Sequence, residues 1–186
     1  GRVGRDMAVL ARRSPAVTER IVALRDGLDA AKDSELDALD DWVALNRVLL
    51  QDDHTLAWLD AHRTDAAFGP LIAHQAPNLV ALLIDSKRWA DAGNLIGDAQ
   101  AWLAWCKPTH GGLDLAIDSW VAISAAARDK DADKFAAGLL KSAPEGTACR
   151  MIDAAAAAGA ARAAQKKVAK GCADDAVVSR WEAAVR

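Results

Sequence analysis

The spacing of two cysteines in this sequence predicts a covalent bond. Cys149 lies near the start of one predicted helix, at about 147–158, and Cys172 lies just past the next, at about 160–171, with Gly159 at the turn between them. In an antiparallel hairpin those two ends lie side by side, and alanine-lined helices can approach within the roughly 7 Å between Cα atoms that a disulfide requires. The sequence therefore predicts a Cys149–Cys172 disulfide that stabilises the hairpin by roughly 3 kcal/mol in the chain-entropy model.

The predicted disulfide bears on the compartment in which the protein resides. Disulfides persist in oxidising compartments, so a periplasmic or secreted location is favoured. The alternative is that Cys149 and Cys172 are two small buried thiols of a cytoplasmic protein.

The third cysteine, Cys106, stands four residues before His110. A zinc site built on this pair needs two further ligands, and the remaining histidines form no second closely spaced pair. A catalytic Cys–His pair is also disfavoured, because a helix C-terminus opposes a thiolate. Cys106 falls on the apolar stripe of a predicted helix, so we expect a buried thiol, with no metal and no cofactor.

The motifs of the common helical and nucleotide-binding enzymes do not occur in this sequence. It has no Glu-x-x-His motif of a di-iron bundle, no glycine-rich phosphate loop and no Gly-x-Ser-x-Gly. Asp52, Asp53 and His54 are suited to acid–base chemistry, but helix capping is the simpler role for the two aspartates. We therefore predict no catalytic residue, and keep a helical enzyme as the least favoured class.

Seven tryptophans and no tyrosine give the sequence an unusual aromatic content. Most of these rings are expected in the core, where a large ring fills gaps between alanine-rich helices. Trp102 and Trp105 flank a predicted apolar stripe rather than lie in it, and Trp89 begins that stripe. These three residues are the candidate binding surface, suited to a partner helix, a peptide or a sugar ring.

Composition and charge exclude several classes of protein. Apolar residues make up 52% and charged residues 26%, which is typical of a folded chain. Alanine supplies much of the apolar fraction, and it favours helix. The formal net charge of −3 argues against a nucleic-acid partner. No run of 18 apolar residues is present, so no membrane insertion is predicted.

The periodicity predicts one all-α domain over residues 1–186, with about ten helices in antiparallel hairpins. Ser14-Pro15 begins a helix that ends near residue 31, and Ser34 to Asp37 resembles a capping box. Residues 69–77 are predicted as a break or a short helix. The other predicted helices span about 78–86, 89–106, 113–127, 147–158 and 160–171, with a short one around 135–140 and a last one ending at 186.

Turns recur near residues 52, 87, 130 and 159, an irregular spacing that lies within the range of helix–turn–helix repeats. Lys87 to Ala92 resembles the turn and second-helix start of a tetratricopeptide-type (TPR-like) repeat, where an aromatic residue precedes a small alanine by three positions. Ile96 and Ala99 continue that pattern, and Leu79 and Leu83 suit the preceding helix. The sequence departs from the family at its turn glycine, which is Lys87 or Arg88 here, and in lacking the proline that closes a repeat.

The resemblance implies an α-solenoid whose concave surface binds a peptide or a partner protein, with no catalytic residue carried over. An irregular helical bundle is the other architecture that this helix pattern fits. We therefore predict a non-catalytic module for protein–protein or peptide interaction. The alternative is a small-molecule or carbohydrate binding protein that uses a tryptophan-lined groove.

Overall fold

The computed structural model describes residues 8–11, 13–106 and 112–186, and among these residues it contains helices and no strand. The prediction of an all-α fold is therefore confirmed. The helices are α1 Pro15–Gly27, α2 Leu36–Leu49, α3 Asp52–His62, α4 Gly69–Asp85, α5 Trp89–Leu95, α6 Ala99–Cys106, α7 Gly112–Ala125, α8 Asp129–Leu140, α9 Thr147–Ala157, α10 Lys166–Ala169 and α11 Asp175–Val185, with 3₁₀ turns at Ala66–Phe68 and Ala163–Gln165.

The chain divides into two compact units, Gly1–Leu82 and Leu83–Arg186. In the first unit α1 packs against α2, and α2 packs against α3. The Arg25 guanidinium is buried there at the end of α1, where it donates to Asp26 at 2.6 Å and contacts the side chains of Gln51 and His54. The prediction of a single domain over residues 1–186 stays a prediction.

Four tryptophans lie in the cores of the two units, as expected for most of these rings. Trp42, Trp58, Trp120 and Trp181 are each at most 5% exposed. The indole N–H of Trp42 donates to Asp29 at 3.0 Å, and that of Trp58 donates to Asp33 at 2.8 Å. These bonds satisfy the polar edge of a buried ring, so the rings stabilise the core without an unpaired donor.

The second unit is built as two layers of helices. α7 packs against α5 and α9, and α11 packs against α9, while α6 and α8 pack against each other as a second layer. The centre of the unit is α7, whose residues Ala116, Ile117 and 119–124 are all buried. Burial on all sides shows that α7 has neighbours around most of its circumference.

The prediction of one helix over 89–106 is wrong, because the structure divides this segment into two helices, α5 and α6. Ile96 takes an extended conformation (ψ 109°) at the end of α5, and the Asp98 side chain accepts from the Ala101 N–H at 2.7 Å. The break exposes backbone carbonyl oxygens, and the Arg128 guanidinium donates hydrogen bonds to them. The distances are 2.8 Å to the Gly93 oxygen and 2.7 Å to the Gly97 oxygen. An arginine distant in sequence thus satisfies the end of α5.

Three further predictions of local structure are corrected. Residues 69–77 are not a break but the first half of α4, with Pro70 near its start, where a missing N–H costs little, and Pro77 inside it. The predicted helix at 160–171 is instead a 3₁₀ turn followed by the four-residue α10. The capping box from Ser34 is absent, because Ser34 Oγ donates to the Ala31 carbonyl and the helix begins after Glu35.

The segment Ala66–Asp85, which contains α4, is long and apolar enough to cross a membrane by length and composition alone. Buried helices of soluble proteins pass the same test. Gln75 is fully buried in this segment, and its amide donates to Asp40 of α2. The prediction of no membrane insertion stays a prediction.

The predicted Cys149–Cys172 disulfide is present in the structure, with 4.6 Å between the two Cα atoms. Gly159 forms the turn, with φ 66°, a conformation that favours glycine. Although the second helix is shorter than predicted, the bond still joins the start of α9 to the end of the segment that returns along it.

A cross-link over this loop should stabilise the protein by about 3 kcal/mol, because it restricts the unfolded chain. We expect Cys149→Ser/Cys172→Ser to lower the free energy of unfolding by about that amount, measured by urea denaturation of the oxidised protein. Adding a reductant should destabilise the native sequence to the same degree and leave the double variant unchanged. Equal stability of the two proteins without reductant would contradict this role.

The contact between α5 and α7 leaves no room for a side chain at Gly93. A Cβ at this position would overlap the Ala122 carbonyl oxygen and lie 2.8 Å from the Ala126 Cβ. We expect Gly93→Ala to destabilise the protein by about 3 kcal/mol, since backbone atoms must move apart. Gly97→Ala is the matched control, because nothing lies within 4 Å of its Cβ position, and it should change the unfolding free energy by less than about 1 kcal/mol.

Candidate functional site: a cleft beside Trp89

An open cleft of about 430 Å³ lies in the second unit. One wall is the turn before α5 together with the first residues of that helix. The other wall is the turn after α9, and Ala125 at the end of α7 completes the lining. Ten residues line the cleft: Lys87, Arg88, Trp89, Ala90, Asp91, Ala125, Gly159, Ala160, Ala161 and Arg162.

Both walls are helix-ending turns of the same kind. Lys87 has φ 59°, and the N–H of Arg88 donates to the Leu83 carbonyl at 2.7 Å. Gly159 has φ 66°, and the N–H of Ala160 donates to the Ala155 carbonyl at 2.8 Å. This hydrogen-bond pattern ends a helix on a left-handed residue. The turns therefore place Arg88 and Ala160 at defined positions on the wall.

The same turn recurs at two other places in the chain. Leu50 and Ala127 also have φ 58°, and each is followed by an N–H that donates to the carbonyl five residues before it. Turns predicted near 52, 87, 130 and 159 thus lie at Leu50, Lys87, Ala127 and Gly159. The positions are confirmed, and their common geometry is a feature that the sequence did not predict, because three of the four residues are not glycine.

Charged side chains hold the walls of the cleft in place. Arg88 pairs with Asp91 at 2.6 Å on the first turn of α5, with both side chains partly buried. Arg162 donates from Nε to Asp129 at 3.1 Å, and its backbone N–H donates to Gln165. Lys87 is exposed at the rim. Three cationic side chains and one carboxylate therefore line the cleft.

The three tryptophans predicted as a binding surface occupy two places. Trp89 is half-buried and lines the cleft, whereas Trp102 and Trp105 are absent from its lining. Those two rings form a pair on α6 with centroids 4.9 Å apart. Trp102 donates to Ser119 Oγ at 2.9 Å, and Trp105 is 40% exposed. Of these three residues, Trp89 is the one that lines the cleft.

The sequence did not predict the place of Arg162 in the cleft, nor the structural role of Arg128. The sequence does contain a pattern that indicates the role of Arg128. The pattern Arg-x-x-Asp-Ala occurs at residues 88–92 and again at 128–132, and in both copies the arginine bonds the aspartate at 2.6–2.7 Å. Arg162 has no such signature, because it becomes part of the cleft only through the turn at Gly159.

Cys106 is fully buried, as predicted, and burial raises the pKa of its thiol to about 11, while a hydrogen bond with Ser119 opposes the rise. A thiol of this kind is protonated at neutral pH and a poor nucleophile or metal ligand. His110, its predicted alternative partner, lies outside the described residues. Among the described residues no group of three or more histidine, cysteine or acidic side chains is placed to hold a metal ion.

A group of carboxylates lies apart from the cleft. Burial raises the pKa of Asp118 above its usual value, and the nearby Asp114 and Asp85 raise it further, while Arg150 opposes the rise. None of the four lines the cleft.

Comparisons with protein-family models, with curated proteins and with solved structures gave no match for this chain.

The raised pKa of Cys106 predicts slow alkylation. Only the thiolate reacts with iodoacetamide, and at pH 8 a thiol with a pKa near 11 is almost entirely protonated. We expect the native protein to remain unmodified at Cys106 over an hour at pH 8, and the protein unfolded in guanidinium to be fully labelled, both measured by mass spectrometry. Rapid labelling of the native protein would contradict a buried thiol.

Proposed function

We propose that this chain is a non-catalytic interaction module of helical-repeat type that binds a peptide segment of a partner protein in the cleft beside Trp89. The observation that carries the proposal is the cleft itself, where a half-buried indole, two helix-ending turns and cationic side chains form one concave surface. Aromatic and arginine side chains are enriched at the energetically dominant positions of protein interfaces.

The two-layer packing of the second unit supports the repeat architecture. α5, α7, α9 and α11 pack in succession, and turns of one geometry end α2, α4, α7 and α9. Stacked helical hairpins of this kind present extended surfaces for partner proteins. The resemblance of Lys87 to Ala92 to a tetratricopeptide-type repeat stays a proposal.

A small-molecule or carbohydrate ligand is the second candidate, favoured by the exposed Trp105 beside Trp102. A closed pocket with two or more tryptophans in its wall would be expected for that function. The cleft has one tryptophan and is open to solvent, which favours a peptide. The disulfide supports an extracytoplasmic site of action, since such bonds persist in oxidising compartments.

Selection from a phage-displayed peptide library tests this function. We expect enriched peptides to bind the native sequence and to lose at least about tenfold in affinity to Trp89→Ala, because truncating a central aromatic anchor removes most of its contact area. Trp105→Ala is the matched control and should bind as the native protein does.

Thermal unfolding of both variants establishes that each is folded. The proposal is wrong if no peptide is enriched, or if the enriched peptides bind Trp89→Ala unchanged. If Trp105→Ala loses binding and Trp89→Ala keeps it, the peptide binds at the tryptophan pair on α6.

A further inference from the structure

The charges in the cleft restrict which peptide it takes. Arg88 and Asp91 form an ion pair within the lining, so their charges largely offset each other. Arg162 likewise pairs with Asp129 at 3.1 Å, so Lys87 supplies the net positive charge of the cleft, although the chain as a whole has a formal charge of −3. A positive concave surface on an acidic protein attracts anionic segments and repels cationic ones.

Two of these cations have hydrogen-bonding capacity to offer a ligand. Lys87 is exposed and forms no ion pair with any residue that the structure describes. Arg162 engages Asp129 through Nε at 3.1 Å, and its two terminal nitrogens make no hydrogen bond within the described part of the chain. A guanidinium has five N–H donors, so Arg162 can bind a second carboxylate while it keeps the first.

We propose that the cleft recognises an acidic peptide segment, whose carboxylates pair with Lys87 and Arg162 while an adjacent apolar part packs on the ring of Trp89. This specificity rests on the proposed function, because it names the chemistry of the same partner. A nucleic acid fits less well, because its backbone carries a phosphate at every nucleotide, and the cleft, with a volume of about 430 Å³, offers only the side chains of Lys87 and Arg162 to pair with phosphates.

Fluorescence anisotropy at low ionic strength tests the specificity. The probes are three fluorescein-labelled eight-residue peptides in which glutamate, glutamine or lysine alternates with alanine. We expect the glutamate peptide to bind at least about tenfold more tightly than the glutamine peptide, and the lysine peptide to bind weakest. Added salt should weaken the binding of the glutamate peptide more than that of the glutamine peptide, because salt screens the attraction between exposed charges.

Charge-matched variants separate a specific site from a general electrostatic effect. The variant Lys87→Gln/Arg162→Gln should bind the glutamate peptide with at least about fivefold lower affinity than the native sequence. Lys134→Gln/Arg180→Gln removes the same charge from exposed residues outside the cleft and should bind as the native protein does. Lys87→Glu/Arg162→Glu should prefer the lysine peptide. Circular dichroism and thermal unfolding show that each variant folds.

The other outcomes have distinct meanings. Equal binding of the glutamate and glutamine peptides overturns the acidic specificity and leaves the peptide-binding function standing. If no peptide binds here and none is enriched from the phage library, both proposals fail. If an eight-nucleotide single-stranded DNA binds more tightly than the glutamate peptide, the ligand is not a peptide. If the two charge-matched glutamine variants lose the same affinity for the glutamate peptide, the cleft is not the binding site.

Discussion

The close approach of α5 to α7 is the constraint on which the second unit depends. Gly93 lets the two backbones meet, since any side chain there would overlap the Ala122 carbonyl. α5 ends at Ile96, where Arg128 hydrogen-bonds the carbonyls that the break exposes. The same break directs α6 into the second layer, where it packs against α8. Placing α5 in this way also places Trp89, its first residue, at the wall of the cleft.

Much of the fold follows from local chemistry that a sequence displays. The turns were predictable because helices end where polar or small residues interrupt an apolar stripe, and the disulfide was predictable because Gly159 lies between two short alanine-rich segments. The errors have physical causes too. The apolar periodicity predicts one helix that continues through Gly97. The helix breaks there instead, because an arginine 31 residues away hydrogen-bonds the Gly97 carbonyl and stabilises the break. Pro77 lies inside a helix, because burial of the surrounding apolar residues outweighs one missing hydrogen bond.

The site was less predictable than the fold. Aromatic type and position singled out Trp89, but they gave equal weight to Trp102 and Trp105, which lie together on α6. Arg162 comes from a turn more than 70 residues after Trp89, so its place in the cleft depends on how α9 and α5 pack around α7. Cations and an indole converge only after folding, which is why neither composition nor a local motif predicts a cleft made from turns. The disulfide contributes indirectly, because it fixes the two ends of the segment that carries Gly159 and Arg162.

The proposed function requires that a ligand contact Trp89 and not the tryptophan pair on α6. The indole N–H signals in a two-dimensional ¹⁵N–¹H NMR spectrum report on each of the seven tryptophans separately, once single Trp→Phe substitutions assign them. During titration with the alternating glutamate–alanine peptide, we expect a saturable shift of the Trp89 indole signal and no shift of the Trp105 or Trp120 signals. A shift confined to Trp102 and Trp105, with the Trp89 signal unmoved at saturation, would show that the ligand does not bind in the cleft.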